Sequence, residues 1–320
     1  MSGIRILNVE PEGYSLKARE ILDTLGEVTE KAFDRACLLN AVAECEVLIA
    51  RFGHRMDKEL FAAAPRLRAL VSATTGLDHI DLEAAAESNV TVLSLHGEAE
   101  FLKGLSATAE LAWGLLLALL RHIPQAADSV KGGIWDRDVF RGNELRGRRL
   151  GILGLGRLGR MVAKYGRAFG MSVAAYDPYL DDWPENVESR PTLETLLEDT
   201  QVFSLHVPLN DETRGLIGGT ELARLPKGAV LINTSRGAVL DEAALLRVLG
   251  SGHLAGAGID VVADEFAGGP SDDLLAYVRD HGNLIITPHM GGATVESMEK
   301  AEVFMAQKLA RFLKSKDGEK

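Results

Sequence analysis

One turn constrains this chain more than any other feature: Gly154-Leu155-Gly156-Arg157-Leu158-Gly159, set between the apolar run 150–153 and a helical stretch over 158–169. Glycines fall into a G-x-G-x-x-G spacing by chance, but a strand before them and a helix after them make a dinucleotide-binding turn. Gly154 permits the tight bend, Gly156 lets a pyrophosphate approach the backbone, and Gly159 lets helix and strand pack closely. The amides of Arg157, Leu158 and Gly159 open the helix, where its dipole favours phosphate oxygens. An acid is expected to end the next strand, and Asp177 follows the β-rich run 172–176, 23 residues after Gly154. Its carboxylate would accept from ribose hydroxyls and repel a 2′-phosphate, so the expected cofactor is NAD rather than NADP.

The turn belongs to a longer alternation of strands and helices. Strands are expected at 4–9, 47–50, 70–73 and 90–93, with helices at 16–25, 58–64 and 82–88 between them. After a long helix over 108–130, interrupted or kinked near Pro124, strands return at 150–153, 172–176, 202–206, 229–233, 257–260 and 284–287. A last helix covers 295–312 and leads into a charged tail, 314–320. Such alternation implies α/β units with doubly wound parallel sheets, and 320 residues suit about two of them. The first half of the 108–130 helix is apolar all round, which calls for burial on several sides, between domains or between subunits.

Composition narrows the function classes. Lys and Arg number 35 against 46 Asp and Glu, a net charge of −11, which opposes binding to nucleic acid or to anionic lipid. The two cysteines, Cys37 and Cys45, are too few for a disulfide framework and suit a reducing compartment. The opening residues lack the charged start and apolar run of a signal peptide. The longest apolar run, 111–120, has half of the roughly 20 residues that a bilayer span needs. A cytoplasmic protein is expected. His54, His79, His122, His253 and His281 show no metal-ligand spacing, and no metal is expected; His79, in a turn after Asp78, reads as a surface residue.

Polar groups with chemistry cluster just past the later strands. Arg236 follows the 229–233 run, Asp260 ends the 257–260 run with Glu265 after it, and His289 follows 284–287. In an open parallel sheet ligands bind beyond the carboxyl ends of strands, so these groups can converge on one ligand. Arg236 can grip a carboxylate bidentately and polarise a carbonyl. His289 can exchange a hydroxyl proton, and Glu265 can hold the imidazole's other nitrogen.

The ordered set resembles the D-isomer-specific 2-hydroxyacid dehydrogenase family, in particular its phosphoglycerate dehydrogenase-like members. The likeness covers nearly the whole chain: Gly76-Leu-Asp78-His-Ile-Asp81, Ala107-Thr-Ala-Glu110, the glycine turn, His206-Val-Pro208, and the Arg236, Glu265 and His289 segments. The resemblance implies an NAD-dependent oxidoreductase that interconverts a small D-2-hydroxy acid and its 2-keto acid by hydride transfer. It implies two Rossmann-like domains with the chain crossing between them twice: a substrate domain, 1–103 with 294–320, and an NAD-binding domain, 104–293. It implies Arg236, Glu265 and His289 as the catalytic set, and a cleft that closes over substrate. Thr108, His206, Pro208, Thr213 and Thr234 would line the cofactor, and Asp260 would position the nicotinamide. Thr74, Thr75 and Gly76 would offer backbone amides to the substrate carboxylate. Arg51 stands where phosphoglycerate dehydrogenase-like members carry a substrate-side arginine, beside the reading of an exposed surface charge, and a homodimer is implied. The family also resembles NAD(H)-binding transcriptional corepressors, an alternative with little turnover that would need a partner-docking groove.

The chain departs from the family's pattern in two places. Residues 94–106 replace a shorter loop that usually contains an asparagine, which makes His96 and Lys103 candidate substrate contacts beside a solvated or dimer-contacting reading. Phe266 replaces the usual proline after Glu265, and Ala267-Gly268-Gly269-Pro270 reads as a more mobile segment. Glu265 itself, where formate dehydrogenases of this fold carry glutamine, argues against formate.

Overall fold

A computed structural model describes residues 3–317. The chain forms two compact units, Met1–Leu105 with Ala293–Lys320, and Ser106–Gly292, so it passes from one to the other twice. Each is an α/β unit built on its own parallel sheet.

In unit 1 the sheet has five parallel strands, β1 (Ile4–Asn8), β2 (Gly26–Glu30), β3 (Val47–Ile49), β4 (Ala69–Ser72) and β5 (Thr91–Ser94), in the order β2-β1-β3-β4-β5. Every residue of β3 and β4 is buried, as a strand covered on both faces requires. Leu48, Leu60, Phe61 and Leu70 form the core on one face, while Val47, Ile49 and Val71 meet Met305, Leu309 and Leu313 of the final helix on the other. That helix spans Val295–Asp317, so it continues beyond the expected residue 312 and takes in the first part of the expected charged tail; residues 318–320 of that tail lie outside the described residues.

Two elements of unit 1 escape a reading based on apolar runs. Strand β2 reads Gly-Glu-Val-Thr-Glu and lies at the sheet edge with its polar side chains toward solvent, so no apolar run announces it. The helix Arg35–Ala41 is short and has one buried side chain, Leu38, although Asp34 caps it by accepting from the Cys37 amide at 2.7 Å.

Unit 2 holds seven parallel strands: β6 (Arg149–Leu153), β7 (Ser172–Tyr176), β8 (Glu188–Ser189), β9 (Val202–Leu205), β10 (Ala229–Asn233), β11 (Leu254–Ile259) and β12 (Leu284–Ile286). Their order, β12-β11-β10-β9-β6-β7-β8, reverses direction between β6 and β9, which puts the glycine turn after β6 at the switch point. Strand β11 starts three residues before the expected 257 because Gly256 and Gly258 interrupt its apolar pattern. Those glycines have a packing reason: a Cβ on Gly256 would lie 2.8 Å from Leu119 Cδ1, and one on Gly258 would lie 3.1 Å from Leu115 Cβ.

The partner packed on those glycines is the helix Ala107–Leu120, which buries eight of its fourteen residues, seven of them in the core of unit 2. Its all-round apolarity is met by the sheet on one side and the helix Arg157–Ala168 on another. The stretch Ala99–Leu120 has the length and hydropathy of a membrane span, yet it is interrupted between Leu102 and Ala107. The 108–130 helix is interrupted near Pro124, as expected: His122 adopts φ 52° and breaks it, and Ile123–Lys131 restarts with Pro124 in its first turn. Proline is tolerated there because the first amides of a helix have no intrahelical acceptor.

Candidate active site

The glycine turn is shaped by what surrounds each glycine. Gly154 has φ +86°, and a Cβ on it would stand 2.8 Å from the His206 carbonyl oxygen. At Gly159 a Cβ would come within 2.2 Å of the Gly154 carbonyl, so the helix Arg157–Ala168 can begin here only if that position is bare. Gly156 caps the helix with nothing within 4 Å of its Cβ position, the open approach that a phosphate needs. Burial lowers the Arg157 pKa beside that opening. Asp177 is bound to the turn directly: Oδ2 accepts from the Leu155 amide at 2.8 Å and Oδ1 from the Tyr179 amide at 3.0 Å.

Around this turn, two buried polar atoms have no hydrogen-bond partner among the described residues: Thr234 Oγ1 and His206 Nδ1. The other ring nitrogen of His206 lies 2.8 Å from Ser204 Oγ, and burial lowers the imidazole pKa to about 4. Unsatisfied buried polar atoms are costly, and their position fits a polar cofactor laid along the strand ends. Thr213 behaves differently, since its hydroxyl donates to the Pro208 carbonyl at 2.6 Å and accepts from the Asn210 amide at 2.9 Å, closing the 208–213 turn. Thr108 stands beside Gly291, where a Cβ would meet its Cγ2 at 3.1 Å.

Arg236, Glu265 and His289 all lie in unit 2, past the ends of β10, β11 and β12. Asn233, fully buried at the end of β10, folds the first turn: its Oδ1 accepts from the amide and hydroxyl of Ser235, and its Nδ2 donates to the Arg236 carbonyl at 3.0 Å. The next residue, Gly237, would place a Cβ 1.9 Å from the Val262 carbonyl carbon, so this turn lies flat against the segment after β11. His289 Nδ1 lies 2.9 and 3.0 Å from the two oxygens of Glu265, with both side chains mostly buried. Gly268 and Gly269, with φ +137° and +91°, follow the short helical turn Glu265–Ala267.

Asp260 has a role that the sequence does not disclose. It is 1% exposed, and its carboxylate accepts from Thr287 Oγ1 at 2.5 Å, the Met290 amide at 2.9 Å and the Gly291 amide at 2.8 Å. Burial raises its pKa, and those hydrogen bonds oppose the shift. Asp260 therefore shapes the loop that carries His289, whatever else it touches.

The unit 1 candidates are arranged as follows. Thr75 is exposed in the turn after β4, and Thr74 Oγ1 donates to the Gly76 carbonyl at 2.9 Å. His79 corrects the expectation of a surface residue: it is 2% exposed, its Nε2 lies 3.3 Å from Ser72 Oγ, and its ring centroid is 5.0 Å from that of Phe52. The turn folds inward because the backbone of Met56 pairs with that of His79 and Asp81, pulling the residue under the 50–56 loop. Arg51 meets Glu10 and Glu302. The 94–106 segment contains a helix, Ala99–Leu102, and is tied down: Lys308 Nζ donates to the Ser94 carbonyl at 2.8 Å and to Glu98 at 2.6 Å, and Phe101 stacks on Phe304 at 4.2 Å. His96 is exposed, and Lys103 pairs with Glu100 at 2.5 Å.

A parallel sheet with a glycine turn at its switch point and an acid ending the next strand defines a dinucleotide-binding α/β protein. Residues 113–291 match the family described as D-isomer specific 2-hydroxyacid dehydrogenase, NAD binding domain. The chain is 35% identical over 97% of its length to D-3-phosphoglycerate dehydrogenase of Methanocaldococcus jannaschii, of which it spans 58%. It is 34% identical to hydroxypyruvate reductase of Thermotoga maritima over 90% of this chain and 91% of that protein. Among solved structures, D-lactate dehydrogenase of Aquifex aeolicus, complexed with NAD and lactic acid, superposes with a TM-score of 0.82 at 28% identity, covering 97% of this chain and 96% of that one. The chain thus belongs to the D-isomer specific 2-hydroxyacid dehydrogenase family, and residues 113–291 are its NAD-binding domain. It spans little more than half the length of the phosphoglycerate dehydrogenases that it matches.

Proposed function

We propose that the protein is an NAD-dependent oxidoreductase that interconverts a small D-2-hydroxy acid and its 2-keto acid. The observation that carries this reading is the grip of both Glu265 oxygens on His289 Nδ1, which supports proton exchange at Nε2. When bound, NAD supplies the hydride acceptor for oxidation, and NADH the donor for reduction. Gly154, Gly156 and the amides of Arg157, Leu158 and Gly159 hold its phosphates, Asp177 its ribose, and Thr234 and His206 offer their unpartnered atoms. Thr108, Pro208 and Thr213 flank that position. Arg236 binds the substrate carboxylate with a planar fork of donors and polarises the adjacent carbonyl. In reduction, protonated His289 gives its proton to the substrate oxygen as negative charge develops there; in oxidation it takes the proton back. Glu265 holds the ring in place throughout, and Asp260 holds the loop.

Unit 1 serves as the substrate domain. Between residues 123 and 139 of unit 2, Ile123, Val130, Ile134, Val139 and the 90% exposed Trp135 leave apolar side chains open that a second copy of the chain would cover, giving a homodimer. The acidic net charge and the two unpaired cysteines, Cys37 and Cys45, suit a cytoplasmic protein that binds neither nucleic acid nor membrane.

The test is NADH oxidation with glyoxylate, hydroxypyruvate, pyruvate and 3-phosphohydroxypyruvate. Turnover is expected with at least one of them, and His289→Asn should lower kcat by about 10²–10⁴-fold. Absence of turnover across the panel would overturn the reading.

A further inference from the structure

The sheet of unit 1 reverses its order at β1 and β3, the kind of point beyond which α/β sheets bind ligands. The loops leaving those two strands are stitched together there, because Glu10 Oε1 accepts from the amides of Arg51 and Gly53 at 2.6 and 3.1 Å. Each nitrogen of the Arg51 guanidinium is held by the chain itself. Nε lies 3.4 Å from Glu10, Nη1 lies 3.4 Å from Glu302, and Nη2 donates to the carbonyls of Glu10 and Glu12 at 3.0 and 3.2 Å. Glu302 arrives from the final helix, is 1% exposed, and also accepts from the Ser15 amide at 2.7 Å.

The charges at this point sum to −1, one guanidinium against two carboxylates. Glu302, buried beside its one counter-charge among the described residues, resists losing it, because an uncompensated buried charge is strongly unfavourable. An incoming phosphate would have to take Arg51 from Glu302 and would itself meet two like charges. Arg55, further along the same loop, is exposed, where solvent screens its charge. The adjacent turn after β4, Thr74-Thr75-Gly76, carries no charged side chain, so it adds no counter-charge for a phosphate.

We propose that the Glu10–Arg51–Glu302 clamp is a specificity determinant that makes unit 1 accept unphosphorylated hydroxy and keto acids and reject phosphorylated ones. This rests on the reading of the protein as a 2-hydroxyacid dehydrogenase with unit 1 as its substrate domain. It sets the chain apart from the relatives named D-3-phosphoglycerate dehydrogenase that it matches.

Calorimetric titration of the full chain loaded with NADH tests it, using D-glycerate and 3-phospho-D-glycerate, a pair that differs by the phosphate and gives no turnover with the reduced cofactor. D-Glycerate should bind at least about tenfold more tightly, a difference of about 1.4 kcal/mol. Glu10→Gln, at a partly exposed position, should close most of that gap by tightening phosphoglycerate; Glu302→Gln should do the same if it folds. Phosphoglycerate binding as tightly as glycerate, a gap unchanged in Glu10→Gln, or no binding of either acid overturns the proposal. NADH oxidation with glyoxylate, hydroxypyruvate and 3-phosphohydroxypyruvate on the same preparation separates the two readings. Lost turnover with the binding gap intact sinks the dehydrogenase reading, whereas turnover that favours 3-phosphohydroxypyruvate sinks the clamp alone.

Discussion

The carbonyl of Asp260 accepts the backbone amide of His289 at 2.8 Å, and the Asp260 carboxylate takes hydrogen bonds from residues on both sides of it. His289 sits at φ 50°, a left-handed conformation that a residue with a Cβ adopts at a cost of about 1–3 kcal/mol. The surrounding hydrogen bonds hold it there, which connects a buried acid to the aim of an imidazole 29 residues away in sequence. Asp260→Asn keeps one acceptor oxygen but turns an N–H toward the Gly291 amide. A lost hydrogen bond at a buried donor costs about 1–3 kcal/mol. The variant should therefore unfold at lower temperature and lose kcat with little change in KM for NADH; an unchanged kcat would show that the loop keeps its shape without the carboxylate.

Gly156 and Gly159 make opposite predictions although they lie three residues apart. Alanine at 159 drives a Cβ to within 2.2 Å of a backbone oxygen and should reduce Tm markedly, by the several degrees that about 2–3 kcal/mol represents in a unit of this size. Alanine at 156 meets nothing in the protein, and φ there is −70°. Its Tm should stay near the parent's while the Kd for NADH rises about tenfold or more, as measured by fluorescence titration. Equal effects on Tm would contradict the packing described for the turn.

Asp177 is fixed by two backbone amides, so its charge cannot swing away from the ribose position. The protein should prefer NADH over NADPH, and Asp177→Ser should cut the ratio of kcat/KM values by about tenfold or more, since a 2′-phosphate would no longer meet a carboxylate. A parent enzyme that uses NADPH equally well would refute this.

The His206 imidazole gives stability a pH dependence of definite sign. Its pKa is lowered from 6.5 to about 4 in the folded chain, so below pH 6.5 the unfolded chain binds a proton that the folded one refuses. Stability is fully present above pH 6.5 and is lost as pH falls toward about 4, by at most about 3 kcal/mol. Denaturant melts of the parent and of His206→Asn should differ in slope across that window, with the variant flatter. Parallel curves would mean that the imidazole is solvated.

Much of this architecture was legible in sequence because parallel strands buried on both faces must be apolar, as at 150–153 and 202–205. Family and cofactor could be read from the order of motifs. What could not be read depends on long-range partners. Strand β2 is polar because it lies at an edge, and the start of β11 is hidden by glycines that exist for Leu115 and Leu119. His79 looked exposed because no local pattern reports that the 50–56 loop covers it. Glu302 did leave a sign: an acid four and seven residues before the buried Ala306 and Leu309, on the apolar stripe of its helix, asks for a buried partner.

The return of the chain to unit 1 has a consequence for biosynthesis. Unit 2 is one continuous segment and is complete when Gly292 has left the ribosome. Unit 1 is not: one face of its sheet waits for Met305, Leu309 and Leu313, and Arg51 waits for Glu302. The part of unit 1 that precedes unit 2 must therefore remain unfinished until the helix Val295–Asp317 emerges, so that unit 2 can mature before unit 1.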